Sequence, residues 1–330
     1  MSKLRLSVAM GNYDRTRPLV DGDVQIDGTD PVYMMLSPEE MFFRAFRDVA
    51  FDISELSMSS FAVKTADGTN PYVGVPVFPS RMFRHTSIYI RTDRGIDSPA
   101  DLKGRRIGTP EYQLTANVWA RAILQDEYGV MPSDVTWVRG GMEHAGRPEK
   151  IALQLPPDIR IETAPHDVTL SQMLERGAID GIVGPRAPSC FEHGYPHVGW
   201  LFADPSRSAA EYFRKTGIFP IMHIVGIRAE LVHRHPWLPM AVSKAFTEAK
   251  DVALARLTDA SATKVTLPFV EEQLRAARAL MGPDFWSYGV AANRHVLDKF
   301  LHHHHAQGLS KRRLRVEELF HSSTFESYKI

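Results

Sequence analysis

The sequence predicts an α/β fold, because short strand-like segments alternate with helical ones along most of the chain. The strand-like segments are rich in β-branched and aromatic residues, and the segments between them repeat their apolar residues at helical spacing. From Ala229 onward the pattern is nearly all helical. The 330 residues suffice for two domains or one large one, since single domains commonly run to about 100–200 residues.

The first predicted strand carries Leu4, Leu6 and Val8 in alternation, as a strand with one buried face does. The first helix is predicted to begin after Ser37, a capping residue, with Glu40 completing a capping box. Further strands are predicted over 51–56, 73–78, 86–91, 105–108, 134–139, 159–163, 179–183 and 221–227. Further helices are predicted over 113–127, 169–176, 236–257, 270–281, 290–303 and 311–320.

Charge and apolar run length argue against two classes of partner, nucleic acids and membranes. The 39 basic residues equal the 39 acidic ones, so the chain lacks the net positive charge typical of proteins that bind nucleic acids or anionic membranes. No apolar stretch approaches the roughly 20 residues that a membrane span requires. The sequence therefore predicts neither a nucleic-acid partner nor a membrane-embedded protein.

Cys190 is the single cysteine, which excludes an intramolecular disulfide and a cysteine-rich metal site. It is interpreted as a small, partly buried residue. The alternative is a nucleophile served by His193, but no cysteine-enzyme motif surrounds it. At the N-terminus, Lys3 and Arg5 interrupt the apolar residues and no run of signal-peptide length follows. The sequence therefore predicts a cytoplasmic location.

The 14 histidines do not form a recognisable metal motif. Residues 302–305 are four consecutive histidines, but only residues three or four apart share a helix face. The pairs His193 with His197 and His233 with His235 lack an accompanying HExxH-type motif. The sequence therefore predicts a protein that needs neither a metal nor another cofactor.

One segment carries a resemblance to a known fold. Residues 98–110 read Ser-Pro-Ala-Asp-Leu-Lys-Gly-Arg-Arg-Ile-Gly-Thr-Pro, which resembles the entry to the second lobe of type II periplasmic-binding-protein folds. The resemblance implies two lobes joined by two hinge crossings, placed at 86–91 and 221–227. It implies a first lobe of 1–90 plus 223–330, with a helical C-terminal extension, and a second lobe of 91–222.

Four further segments, at 11–19, 78–85, 108–116 and 226–231, resemble the 4,5-dihydroxyphthalate decarboxylases. This resemblance covers most of the chain. It implies a lyase of phthalate catabolism that converts 4,5-dihydroxyphthalate to 3,4-dihydroxybenzoate and CO2. Because the same fold carries transport receptors, the alternative is a solute-binding protein that captures a small aromatic carboxylate without chemistry. A third hypothesis is a cytoplasmic ligand sensor or a precursor-supplying enzyme on the same scaffold.

The candidate binding residues follow from where ligands lie in open α/β sheets, which is beyond the carboxyl ends of the strands. The residues that follow predicted strands, or precede the first crossing, are Asn12, Tyr13, Arg15, Ser59, Arg81, Arg84, Thr109, Gln113, Thr115, Arg139 and Arg186. Five of them are arginines, whose planar guanidinium groups match a carboxylate bidentately. Any one of the five is equally consistent with a structural ion pair, but the set as a whole favours a carboxylate site.

The implied reaction needs a general acid, because a proton must reach the carboxyl-bearing ring carbon before CO2 leaves. Histidine titrates near neutral pH and suits this task. His85 and His223 are the candidates because both lie near the predicted hinge, and Tyr112 is the third catalytic candidate. For a lone histidine in a strand, a structural role remains the alternative.

The long helical C-terminal region suggests a homo-oligomer contact. Its first long helix carries an apolar face made of Val242, Ala245, Phe246, Ala249 and Val252. Such a face is used either between subunits or within the lobe. The sequence leaves both alternatives open.

Overall fold

The computed structural model describes residues 3–146 and 154–325. The chain divides into two units, each with its own sheet. Unit 1 comprises Met1–Arg81, Ile221–Asp298 and Leu314–Ile330, and unit 2 comprises Met82–Pro220 and Lys299–Arg313. The chain first passes from unit 1 to unit 2 between Arg81 and Met82, so residues 86–91 lie in unit 2. The lobe boundaries given above stay a prediction.

Strands and helices alternate through the first two thirds of the chain. The strands of the described residues are β1 (Leu4–Met10), β2 (Thr29–Met35), β3 (Ile53–Ser57), β4 (Tyr72–Val75), β5 (Ile88–Arg91), β6 (Arg106–Thr109), β7 (Thr136–Arg139), β8 (Arg160–Thr163), β9 (Gly181–Val183), β10 (Val198–Trp200) and β11 (His223–Arg228). Their helices are α1 (Arg17–Val20), α2 (Pro38–Asp48), α3 (Met58–Ala66), α4 (Thr115–Tyr128), α5 (Leu170–Glu175), α6 (Ser189–Glu192), α7 (Pro205–Thr216), α8 (Ala229–Arg234), α9 (Leu238–Leu257), α10 (Val270–Met281) and α11 (Val290–Ala306). The predicted α/β class is confirmed.

The sheet of unit 1 has the strand order β2-β1-β3-β11-β4. Strand β1 runs parallel to β2 and β3, whereas β11 runs antiparallel to β3 and β4. Because β11 is antiparallel, its first residue, His223, pairs with the last residue of β3, Ser57. The end of β1, the end of β3 and the start of β11 therefore meet at one edge of the sheet.

Apolar side chains from this sheet and from α9 form the core of unit 1. Val8, Ile53 and Val225 from the three central strands are buried, as is Phe246 from α9. This burial fixes the central strands, because shifting a strand by one residue would turn its apolar side chains to the opposite face.

The apolar face of α9 is used within unit 1. Val242, Ala245, Phe246 and Ala249 are buried in the core, and Val252 packs against it partly buried. Packing within the unit, the alternative to a subunit contact, therefore accounts for this face.

The sheet of unit 2 has the strand order β10-β5-β9-β6-β7-β8. Strands β6, β7, β8 and β9 are joined by parallel pairings, whereas β5 is antiparallel to its neighbours β9 and β10. A buried cluster that includes Val138, Leu170, Leu174 and Ile182 packs α5 against this sheet. The loops after β6 and β7 thus leave the same edge.

Several predicted elements are confirmed. The helix predicted over 270–281 is α10 (Val270–Met281), and Ser37 caps α2 by accepting the amide N–H of Glu40 at 3.4 Å. The helix predicted over 311–320 is wrong, and β2, β10, α3 and α7 are among the elements that the sequence pattern did not predict. Within 311–320 only Val316–Leu319 forms a 3-10 turn, and Leu314, Val316 and Leu319 are buried.

Among the residues that the structure describes, no helix combines the length and the apolar character needed to cross a membrane.

Candidate active site

A buried carboxylate, Glu55, is the centre of a polar cluster in unit 1. It lies on β3, between β1 and β11, and its side chain has no exposed surface. The Gly11 amide N–H donates to its Oε2 at 2.8 Å, and the Tyr13 hydroxyl donates to its Oε1 at 2.9 Å. The His223 Nδ1 lies 2.5 Å from the same Oε1. One carboxylate thus joins the loop after β1 to the start of β11.

The surroundings of Glu55 favour its ionised form. Burial alone would raise the pKa of this carboxyl, but the hydrogen bond and charge of His223, with the Gly11 and Tyr13 donors, hold its pKa below the usual value. Burial, followed by the charge and hydrogen bond of Glu55, raises the pKa of the Tyr13 hydroxyl. Tyr13 therefore stays protonated and donates to the carboxylate.

His223 is anchored through one ring nitrogen. Its Nδ1 contacts Glu55, and its ring meets the Phe42 ring edge-on with the two centres 4.8 Å apart. The side chain is 16% exposed, and within the described residues Nε2 has no hydrogen-bond partner. The imidazole is thus fixed in orientation while one nitrogen remains able to exchange a proton with a ligand.

Arg15 contacts the ring of Tyr13. Its guanidinium carbon is 4.2 Å from the centre of the Tyr13 ring and 4.3 Å from that of Trp286. Its Nε donates to the Pro79 carbonyl at 2.5 Å and its Nη1 to Asp14 Oδ1 at 3.1 Å. Across the described part of the chain, Nη2 has no hydrogen-bond partner. This arrangement fixes the plane of the guanidinium and leaves one donor for an anion.

The other unit 1 candidates are not all equally available to a ligand. Arg81 is buried, and its Nη2 donates to the Ser287 carbonyl at 2.7 Å and to Asn293 Oδ1. Burial lowers the pKa of Arg81 to about 9. Arg81 therefore contacts the segment before α11 and α11 itself.

Ser59 is fully buried on α3, whereas Asn12 is exposed in the loop after β1.

His85 is buried among aromatic rings in unit 2. It is 2% exposed, and its ring centre lies 4.9 Å from that of Phe202 and 5.5 Å from that of Tyr212. Burial lowers its pKa to about 4, so the imidazole is neutral near pH 7. A neutral histidine is less suited than an imidazolium to deliver a proton.

Tyr112 is also buried in unit 2. The Arg121 guanidinium lies over its ring at 3.7 Å and donates to its carbonyl at 2.7 Å. Thr109, at the end of β6, accepts from Asn117 Nδ2 at 2.7 Å. These contacts order the loop between β6 and α4.

The remaining unit 2 candidates differ in exposure. Arg84, Gln113 and Thr115 are buried, Arg139 is half-buried and donates to Thr163 Oγ1 at 3.2 Å, and Arg186 is exposed. Unit 2 thus holds eight of the predicted site residues, namely Arg84, His85, Thr109, Tyr112, Gln113, Thr115, Arg139 and Arg186. Unit 1 holds Asn12, Tyr13, Arg15, Ser59, Arg81 and His223. Within unit 1, Tyr13 connects Arg15 to the cluster of Glu55 and His223.

Two residues of the unit 1 cluster were missed by sequence reasoning, Glu55 and Trp286. Glu55 carried a signal, because it is an acidic residue inside the predicted strand at 51–56, where a charge is unexpected. Trp286 carried none, since it lies in the segment between two predicted helices.

No group of three or more histidine, cysteine, aspartate or glutamate side chains is arranged to hold a metal within 3–146 and 154–325. The predicted independence from a cofactor stays a prediction.

The fold defines the class of protein. It is a type II periplasmic-binding-protein fold, as in the alkanesulfonate-binding protein SsuA from Xanthomonas axonopodis pv. citri. The likeness covers 97% of this chain and 98% of that one, with a TM-score of 0.54 and 12% identity. The family model described as NMT1/THI5 like matches residues 82–148. The predicted fold is confirmed.

Within this class, the chain belongs to the 4,5-dihydroxyphthalate decarboxylase family. It is 63% identical over 330 residues to the 4,5-dihydroxyphthalate decarboxylase of Comamonas testosteroni, covering 100% of both chains. It is 63% identical over 214 residues to the protein of the same name from Pseudomonas putida, covering 65% of this chain and 83% of that one. The resemblance inferred from the sequence segments is confirmed.

Proposed function

We propose that this protein is a carboxy-lyase that converts 4,5-dihydroxyphthalate to 3,4-dihydroxybenzoate and CO2. The observation that carries the proposal is the 63% identity, over the whole of both chains, to a decarboxylase of that name. The arrangement of a fixed histidine and a fixed arginine in unit 1 supports it, because the reaction needs a proton donor and a carboxylate-binding group.

The substrate supplies the electronic part of the reaction. A hydroxyl group stands para to each carboxylate, so a proton can add to the carboxyl-bearing carbon while the oxygen becomes carbonyl-like. The bond to CO2 then breaks, its electron pair returns to the ring and oxygen, and aromaticity is restored. The enzyme must place one proton at one carbon and hold the carboxylates.

His223 is the proposed proton donor and Arg15 the proposed carboxylate ligand. His223 is supported by its bond to Glu55 and by its partly exposed ring. Arg15 is supported by the two aromatic rings that hold its guanidinium and by its unengaged Nη2. Burial with a lowered pKa argues for a structural role of His85.

The other predicted site residues enter the proposal as follows. Tyr13 links the two proposed groups, and Asn12 lies beside it in an exposed loop. The remaining candidates for substrate contact are Ser59, Arg81, Arg84, Thr109, Tyr112, Gln113, Thr115, Arg139 and Arg186. Single substitutions to alanine, followed by KM and kcat measurements, test each of them.

We also propose that the enzyme acts in the cytoplasm, in phthalate catabolism, and without a cofactor. The proposal allows a homo-oligomer, although a subunit contact through the C-terminal helices would have to use a surface other than the covered face of α9. Gel filtration at several protein concentrations tests the oligomeric state.

The test of the function is CO2 release from 4,5-dihydroxyphthalate by the purified protein, with and without a chelator. The proposal expects release that survives the chelator, and only slow release from phthalate, which lacks the hydroxyl groups. Tight binding of the diacid without any release of CO2 would favour a solute-binding protein. The alkanesulfonate-binding protein SsuA, which has the same fold, is an example of that class.

A further inference from the structure

We infer that Glu55 is a positioning residue that keeps His223 as a proton-loaded imidazolium in the resting enzyme, with Nε2–H directed away from the carboxylate. The inference rests on the proposed function, because it assigns a task to a residue next to the proposed proton donor.

The strand register fixes the pair. Val225 of β11 lies opposite Glu55 of β3, and His223 lies opposite Ser57. Glu55 and His223 are therefore diagonal neighbours on one face of an antiparallel pair, a spacing that long side chains bridge. The contact between Oε1 and Nδ1 at 2.5 Å follows from this register.

The buried charge of Glu55 requires a counter-charge. The carboxylate has no exposed surface, and a desolvated charge is costly unless it is paired. Two of its donors, the Gly11 amide and the Tyr13 hydroxyl, are neutral. His223 is the donor in direct contact that can become cationic, and the lowered pKa of Glu55 agrees with an ion pair.

Other charged and titratable groups act on the cluster from neighbouring segments. Tyr13 and Arg15 come from the loop after β1, and Tyr288 comes from the segment before α11. The groups that interact electrostatically with Tyr13 or Tyr288 are Asp14, Arg15, Glu55 and Arg81. Among them, Glu55 is the carboxylate that contacts the His223 ring.

The ion pair would prepare the chemical step. The Nε2–H bond of His223 breaks as a C–H bond forms at the carboxyl-bearing carbon, with the electron pair supplied by the ring and its para hydroxyl oxygen. CO2 then leaves, the electrons of the broken C–C bond return to the ring and oxygen, and neutral His223 regains a proton from water. Glu55 remains ionised throughout.

The first test measures the charge directly. Nitrogen-15 NMR of histidine-labelled wild-type protein at pH 7, with the His223 signal assigned through His223→Gln, reports whether both ring nitrogens carry protons. The inference expects a doubly protonated His223. A neutral His223 in the wild-type protein overturns the inference. This measurement does not depend on whether a variant of Glu55 folds.

The second test removes the charge while keeping the shape. In Glu55→Gln, we expect kcat to fall about 100-fold or more at pH 7, in line with the contribution of general acids. We expect KM to change by less than about threefold.

A matched control is Glu230→Gln, because Glu230 is an exposed glutamate of unit 1 in a surface ion pair with Arg234. It should leave kcat unchanged. An unchanged kcat in folded Glu55→Gln, together with an inactive His223→Gln, overturns the inference and leaves the proposed function intact. Absence of CO2 release by the wild type overturns the proposed function instead.

Discussion

The guanidinium carbon of Arg15 lies 4.3 Å from the centre of the Trp286 ring, with the Tyr13 ring at 4.2 Å. A guanidinium that contacts two aromatic rings is restricted in its orientation, so little conformational freedom is lost when a carboxylate binds. Trp286 also donates from its indole nitrogen to the Phe78 carbonyl at 3.0 Å, which fixes the ring itself. The two aromatic side chains thus hold Arg15 ready for an anion.

The first prediction concerns Arg15→Lys. Lysine keeps the charge but lacks the planar group that packs against the two rings, so we expect KM for 4,5-dihydroxyphthalate to rise about 10- to 100-fold. kcat should change much less. Steady-state kinetics measure both, with Arg5→Lys as the control because the Arg5 side chain is 90% exposed. An unchanged KM would remove Arg15 from the binding site.

The second prediction concerns Asp14, which occupies Nη1 of Arg15 at 3.1 Å. A substrate carboxylate that contacts both Nη1 and Nη2 of Arg15 must compete with Asp14 for Nη1, so Asp14→Asn should lower KM severalfold without changing kcat. The effect should shrink at high salt, because Asp14 is 45% exposed and screened. KM measured at two ionic strengths tests this, and a higher KM in the variant would show that Asp14 assists Arg15.

How much of this cluster the sequence predicts depends on where its residues lie. Tyr13, Arg15 and His223 were predicted because they stand at strand ends, where ligands of α/β sheets lie. Their grouping around Glu55 was not predicted, because the partner of Glu55 is 168 residues away and depends on β11 pairing with β3. Strand patterns give the faces of each strand but not the order of strands in a sheet.

The wrong helix at 311–320 has a related cause. Its lysine, arginine, leucine and glutamate residues favour helix locally. In the folded chain, Phe320 instead forms a parallel bridge with Gly74 of β4. Leu314, Val316 and Leu319 are buried, which a helix over 311–320 would not have to provide. Tertiary contacts therefore overrode the local preference.

The third prediction concerns the pH dependence of stability through His85. Burial lowers its pKa to about 4, so near pH 5 the unfolded chain binds a proton there and the folded protein does not. Stability should therefore fall as the pH drops from about 6.5 to about 4, by about 3 kcal/mol from this residue. Urea denaturation of wild type and His85→Phe at pH 7 and pH 5 measures the part that is lost by pH 5, about 2 kcal/mol. Equal pH dependence in both proteins would contradict the assignment.

The fourth prediction concerns the buried contact between Arg81 and Asn293. Asn293→Ala removes an acceptor from a buried guanidinium, which should lower the free energy of unfolding by about 1–3 kcal/mol. The control is Arg294→Ala, which breaks an exposed ion pair with Glu317 on the same helix and should cost less than about 1 kcal/mol. Equal losses of unfolding free energy in the two variants would show that the burial of Arg81 does not determine the cost of removing its acceptor.

The measurement that tests the account most directly is CO2 release from 4,5-dihydroxyphthalate by wild type and by His223→Asn, at saturating substrate and pH 7. The account predicts rapid release by the wild type and at least about a 100-fold lower kcat in the variant, since a general acid contributes on that order. Binding of the substrate, measured by calorimetry, should persist in the variant. Wild-type turnover in folded His223→Asn would contradict the assignment of the proton donor.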